Sequence, residues 1–137
     1  MTADRADFYP LRIFIIEDHR DTLEAFQIHL EQLGHVVFSA RSKAEALKEI
    51  PRAKCHVLIS DINLSDGTGW DLMQESGKSC PNYAIAISGD GMKADLERSA
   101  ESGFRHHLVK PVLAHKLDTP LRKKESARNN KPTTARR

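Results

Sequence analysis

The chain has 137 residues, the length of one ordinary domain, and its 39% hydrophobic and 29% charged residues suit a globular protein with one modest core. Its longest apolar runs are strand-sized, which excludes a transmembrane helix, and the polar start Met-Thr-Ala-Asp-Arg-Ala-Asp leads into no stretch long enough for a signal peptide. The net charge of +2 is divided unevenly: residues 122–137 carry seven Lys or Arg against Glu125 alone, whereas residues 1–121 carry 14 basic and 18 acidic groups. The basic character therefore belongs to the tail and does not make the body a nucleic-acid binder.

Leu11 to Ile16 is a β-branched run, as a strand buried on both faces requires, and it ends in Glu17-Asp18. From Asp21 to Leu33, Leu23, Phe26, Leu30 and Leu33 recur at helical spacing, and Gly34 stands where a helix-ending glycine belongs. Val36-Val37-Phe38 predicts a second strand. Ser42 with Glu45 three residues on is a capping-box pattern for a second helix, which Pro51 is expected to stop. Val57-Leu58-Ile59 predicts a third strand leading into Ser60-Asp61, and Ser65 to Gly69 is a loop by composition. A short helix spans Trp70 to Gln74, and Tyr83 to Ile87 is a fourth strand ending at Ser88. Met92 to Ser102 is a helix closed by Gly103. His107-Leu108-Val109 is a fifth strand ending at Lys110-Pro111. The last helix begins at Val112 to Leu117, and Pro120 is expected to interrupt or kink it.

Five strands alternating with five helices favour a parallel sheet covered on both faces. Right-handed crossovers then bring every strand's C-terminal end to one edge, where ligands of such sheets bind. Glu17, Asp18, Asp61, Ser88 and Lys110, each at a predicted strand end, can converge at that edge. Three carboxylates in one pocket repel each other unless a cation sits among them, and all-oxygen ligation suits Mg²⁺. A lysine and a hydroxyl beside that cation make a site for a tetrahedral dianion, so the parts suit phosphoryl transfer to a carboxylate.

This arrangement resembles the receiver domain of the response regulators of bacterial two-component systems, over roughly residues 10–119. Glu17-Asp18 stands at the family's acidic pair, and Asp61 at its phosphoaccepting aspartate. Asp66-Gly67-Thr68-Gly69 resembles its turn after the third strand, Ser88 its Ser or Thr after the fourth, and Lys110-Pro111 its Lys-Pro after the fifth. The resemblance implies a flavodoxin-like doubly wound sheet of strand order 2-1-3-4-5 within an α/β domain spanning 10–121. Residues 1–9 are then an N-terminal extension, and 122–137 a basic, disordered tail.

It further implies that Asp61 accepts a phosphoryl group from a sensor histidine kinase or a histidine phosphotransfer protein. Asp18, Asp61 and the Asn63 backbone carbonyl would ligate Mg²⁺, with Glu17 acting through a metal-bound water. Lys110 and Ser88 would bind phosphoryl oxygens. Ser88 and His107 would form the switch that remodels the fourth helix, fifth strand and fifth helix, and Asp90 stands where the family tunes dephosphorylation. A cis Lys110–Pro111 bond is also implied.

Three positions depart from the pattern: Glu17 replaces an aspartate, His107 a tyrosine or phenylalanine, and Ser65 a proline. The 26 residues after Pro111 are too few for a DNA-binding domain or an enzyme. As a stand-alone response regulator the chain is therefore expected to signal through a downstream protein, a homodimer or onward phosphotransfer, in the cytoplasm and with no membrane contact; the other expectation is an isolated receiver domain of a larger protein. The chain is expected to be no enzyme beyond its own phosphorylation and dephosphorylation.

A receiver-shaped protein-binding module that works without phosphorylation is the alternative, supported by Glu17 and His107. A Mg²⁺-dependent phosphatase of the haloacid dehalogenase type lacks its Asp-x-Asp, since Ile62-Asn63 follows Asp61. An FMN binder lacks a phosphate loop after the first strand. The bland readings are a turn for Asp61, a solvated loop for Glu17 and a packing role for Trp70 at the start of the third helix. His19 is either a loop residue or a neighbour of the phosphoryl group. Adjacent strand residues His106 and His107 face opposite sides of the sheet, and the other histidines lack metal-ligand spacing. Cys55 and Cys80 are read as reduced thiols.

Overall fold

The computed structural model describes residues 10–89, 91 and 93–129. β1 (Arg12–Ile16), β2 (Val36–Ala40), β3 (Val57–Asp61), β4 (Tyr83–Ser88) and β5 (His106–Val109) form one sheet, paired in parallel throughout. Their spatial order is β2-β1-β3-β4-β5, the doubly wound arrangement. The helices are α1 (Arg20–Gln32), α2 (Lys43–Ala53), α3 (Gly69–Ser76), α4 (Lys93–Glu101) and α5 (Asp118–Asn129).

Alternate side chains of the buried strands feed two cores. Ile13, Ile15, Val57, Ile59, Ile85 and Ile87 pack under Leu23, Phe26 and Leu30 of α1, together with Leu117 and Leu121. Phe14, Ile16, Leu58, Ala84 and Ala86 pack under Ala46 and Ile50 of α2, Leu72 of α3 and Phe104. Every residue of β3 and β4 is buried, which is why those strands read as continuous apolar runs.

Caps set the helix ends. His19 Nδ1 accepts from the Thr22 N–H at the start of α1, and Gly34 (φ 99°) follows its end. Ser42 Oγ accepts from the Glu45 N–H at α2, as the capping pattern predicts.

Several boundaries differ from the sequence reading. α2 continues past Pro51 to Ala53. The Ala53 side chain is buried, and its carbonyl takes two hydrogen bonds from the Arg12 guanidinium, so tertiary contacts hold the last turn. Pro120 neither interrupts nor kinks the last helix. It sits in the first turn of α5, where its missing N–H has no intrahelical partner to lose. Ala114–Leu117 is a 3₁₀ turn, α5 begins only at Asp118, and it runs on through Asn129. Residues 122–129, expected in a disordered tail, are therefore helical, held where Leu121 is buried and Glu125 meets His35. Residues 1–9 and 130–137 lie outside the described residues. The loop after β3 contains a two-residue antiparallel ribbon, Asn63–Leu64 against Gly67–Thr68.

Candidate functional site

Parallel strands deliver their C-terminal ends to one edge, where the Glu17, Asp18, Asp61 and Lys110 side chains meet; the Ser88 hydroxyl, at the end of the neighbouring strand, pairs with His107 instead. Asp61 closes β3, only 3% exposed. Its Oδ2 accepts a hydrogen bond from Lys110 Nζ at 2.7 Å, and its Oδ1 accepts from the Asn63 N–H at 3.2 Å. Glu17, directly after β1, is buried, and Asp18 beside it is half-buried. Carboxylate oxygens of Glu17, Asp18 and Asp61 all lie within 4.8 Å of one another.

This concentration of negative charge is held at a cost. Burial, with the charges of Asp61 and Asp18, raises the Glu17 carboxyl above the ordinary carboxylate range. Its Oε2 accepts from the His19 N–H at 3.1 Å. Its Oε1 has no hydrogen-bond partner, the one such buried side-chain atom among the described residues. An orphan acceptor of this kind costs about 1–3 kcal/mol. Burial works against the Lys110 ammonium, but its hydrogen bond to Asp61 and the nearby carboxylates outweigh that and raise its pKa. Three hard oxygen donors, excess negative charge and an unpartnered buried oxygen fit a divalent cation such as magnesium.

Two further features shape the edge. The loop after β3 folds tightly back on the strand end: a Cβ on Gly69 would stand 2.8 Å from the Asp61 carbonyl oxygen, so no larger residue fits. A cleft of about 580 Å³ opens beside the site, lined by the charged Glu17, Asp18 and Lys110 and by the apolar Phe26, Ile87 and Val112. The Lys110–Pro111 peptide is cis, as the resemblance implies.

Ser88 closes β4, 3% exposed, and lies 2.8 Å from His107 Nε2. His107 Nδ1 lies 2.8 Å from Ser99 Oγ on α4, which accepts from Trp70 Nε1–H on α3 at 2.9 Å. Trp70 thus packs at the start of α3 as expected, with the Arg98 guanidinium 4.1 Å over its ring. His106 points the other way, to the Tyr83 hydroxyl at 2.8 Å. His19 caps α1 and also lines the cleft. Both cysteines are free, and burial pushes the Cys55 thiol up to about 11. Asp90 lies outside the described residues.

Two residues gained importance only in three dimensions. Ser99 is the single buried residue of α4, a polar side chain where an apolar one would ordinarily sit. Its place on the inner face of a helix with few other apolar anchors was the available signal. Asp66 spans to α2, where its two oxygens accept from the Lys43 and Ala44 N–H groups at 2.7 and 2.9 Å. Those bonds hold its carboxyl below the usual range. Nothing in the local sequence names its partner.

The comparisons with known proteins agree with this geometry. The family model of the response regulator receiver domain matches residues 13–122. A 14.6 kDa protein of Leptolyngbya boryana is 30% identical over 105 residues, 73% of this chain and 79% of that protein. The transcriptional regulatory protein GlrR of Escherichia coli K12 is 28% identical over 104 residues, 75% of this chain, which spans only 23% of that larger regulator. The crystal structure of a CheY-like receiver domain protein from Methanospirillum hungatei superposes with a TM-score of 0.81 at 24% identity. It covers 90% of this chain and 100% of that one. With the family model matched from β1 into α5, the chain belongs to the response regulator receiver domain family.

Proposed function

We propose that the chain is a phosphoacceptor whose Asp61 takes a phosphoryl group from a sensor histidine kinase or a histidine phosphotransfer protein. One observation carries the reading: a buried carboxylate held by a lysine at 2.7 Å, inside a cluster of three acids that includes an unpartnered buried oxygen. A structural ion pair needs one acid; the other two weaken the fold unless a cation joins them.

In this reading an Asp61 oxygen attacks the phosphorus of a phosphohistidine. The O–P bond forms as the N–P bond breaks, and the electron pair stays with the imidazole. Lys110 turns from its carboxylate partner toward a phosphoryl oxygen, and Ser88 donates its O–H to another. Asp18, Asp61 and the Asn63 carbonyl would hold Mg²⁺, with Glu17 acting through water. The cation supplies positive charge against the cluster and the incoming phosphoryl oxygens. The chain acts on its own aspartate and on no separate substrate, in the cytoplasm. Output leaves through α4, β5 and α5 to a downstream protein or a second copy of the chain. Leu96, Val109 and Leu113, exposed on and between those elements, support that direction.

Incubation with Mg²⁺ and acetyl phosphate, followed by intact-protein mass spectrometry, tests the reading. One added phosphoryl group, removed by hydroxylamine as an acyl phosphate requires and absent when Mg²⁺ is chelated, is the expected result. An adduct that survives hydroxylamine, or forms equally well without the cation, contradicts it.

A further inference from the structure

Trp70, Ser99, His107 and Ser88 form an unbroken chain of hydrogen bonds from α3 through α4 and β5 to the end of β4. The donors and acceptors in that chain are not free to point either way. An indole N–H only donates, so Trp70 occupies a lone pair of Ser99 Oγ, 2.9 Å away. Ser99 is 1% exposed, so its own proton has no water to go to. Its hydroxyl makes two hydrogen bonds, one from Trp70 and one with His107 Nδ1 at 2.8 Å. The Ser99 proton therefore goes to His107 Nδ1. A buried hydroxyl proton left without an acceptor would cost about 1–3 kcal/mol. With Nδ1 accepting, a neutral imidazole carries its one proton on Nε2, and that proton points at Ser88 Oγ 2.8 Å away. Ser88 thus accepts from His107 and retains its own O–H as a donor.

We infer that Ser99 and His107 are positioning residues that fix the polarity of Ser88, keeping its hydroxyl a donor for a phosphoryl oxygen. The inference rests on the phosphoacceptor reading for its use, but its geometry concerns the unphosphorylated chain. The opposite polarity would place the His107 proton on Nδ1 and draw the Ser88 proton onto Nε2, away from the site. In that arrangement Ser99 Oγ would accept from both neighbours, and its own buried proton would be left without an acceptor, because Trp70 cannot accept. A histidine in place of an aromatic hydrocarbon ring is what makes such a relay available, since one ring can accept at Nδ1 and donate at Nε2. The relay also ties the acceptor edge to the groove between α3 and α4, where Trp70 and Arg98 stack.

The test is the tautomer of His107, read from imidazole nitrogen shifts of the ¹⁵N-labelled, unphosphorylated chain above the titration range of the ring. The Nε2–H form is expected; the Nδ1–H form overturns the inference. The tautomer is measured without phosphoryl transfer, so it stands or falls separately from the phosphoacceptor reading. In Ser99→Ala the Nδ1 partner is gone. The Nδ1–H form should then become populated, and phosphoryl uptake from acetyl phosphate should slow about fivefold, the worth of one ordinary hydrogen bond. Trp70→Phe, which keeps the ring and removes only the N–H, gives the Ser99 proton no new acceptor and should leave the Nε2–H form in place; a shift to the Nδ1–H form would overturn the inference. A folded Ser99→Ala chain with both the tautomer and the uptake rate unchanged overturns the relay and reduces Ser99 to packing.

Discussion

The two ends of the sheet treat their polar groups in opposite ways. At the N-terminal end, His35 Nδ1 accepts from the Leu11 N–H at 3.0 Å, and His56 Nδ1 accepts from the Arg12 N–H at 2.9 Å. The Arg12 guanidinium closes on the Ala53 carbonyl, and the Tyr83 hydroxyl donates to the Pro120 carbonyl at 2.8 Å. Two histidines thus seat the start of β1, and α5 is tied down beside them by His35–Glu125 and His29–Asp118. At the C-terminal end, three carboxylates crowd one lysine and a buried oxygen of Glu17 is left unpaired. One end spends its polar groups on holding the fold; the other holds them ready for a ligand. The comparison teaches where to look for function in such a sheet: at the end where the pairing rule fails.

Substitutions at the two ends should accordingly separate stability from phosphoryl uptake. Among the groups around Asp61, the largest effect is expected for Lys110→Ala. Removing a charge aimed at the developing phosphoryl oxygens should slow uptake by about 10²–10³-fold. Quantitative intact-mass kinetics would read this, and a rate within twofold of the parent would break the comparison. Glu17→Gln comes next. Relieving the crowding should leave the urea midpoint unchanged or higher, while Mg²⁺ affinity, followed by Trp70 fluorescence, falls about 10–100-fold. A lower midpoint with unaltered affinity would make Glu17 a structural residue.

The smallest effect lies at the opposite end. Burial holds the folded-state pKa of His35 below 6.5, partly offset by Asp118. The unfolded chain therefore binds a proton that the folded chain resists. The stability contributed by the neutral ring is full above pH 6.5 and is lost as pH falls below it. A protonated Nδ1 would also meet the Leu11 N–H donor head-on. Urea unfolding of the parent should weaken over that range, and His35→Asn, which offers a non-titrating acceptor, should flatten the response.

Most of the edge was legible in the sequence. Short apolar runs that stop abruptly at Glu17, Asp61 and Ser88 announce both the strands and what they carry, because a strand buried on both faces carries its polar groups mainly at its ends. The rest depended on partners far along the chain. Pro51 looks like a stop until Arg12, 39 residues earlier, is seen holding the carbonyl of Ala53. Residues 122–129 look like a solvated tail until Glu125 meets His35. The position of His107 stood out as a departure, but its two partners, Ser88 and Ser99, lie on other elements, and only their placement gives the ring a direction.

The central claim, that the acidic edge is kept for a phosphoryl group at the expense of stability, is tested most directly with Asp61→Asn. Phosphoryl uptake from acetyl phosphate with Mg²⁺ and the urea midpoint would be measured on the same preparations. The account predicts one phosphoryl group on the parent, none on the variant, and a variant midpoint equal to or above the parent's, since a crowded buried charge has been removed. A variant that still takes up the phosphoryl group, or that loses stability, would contradict it.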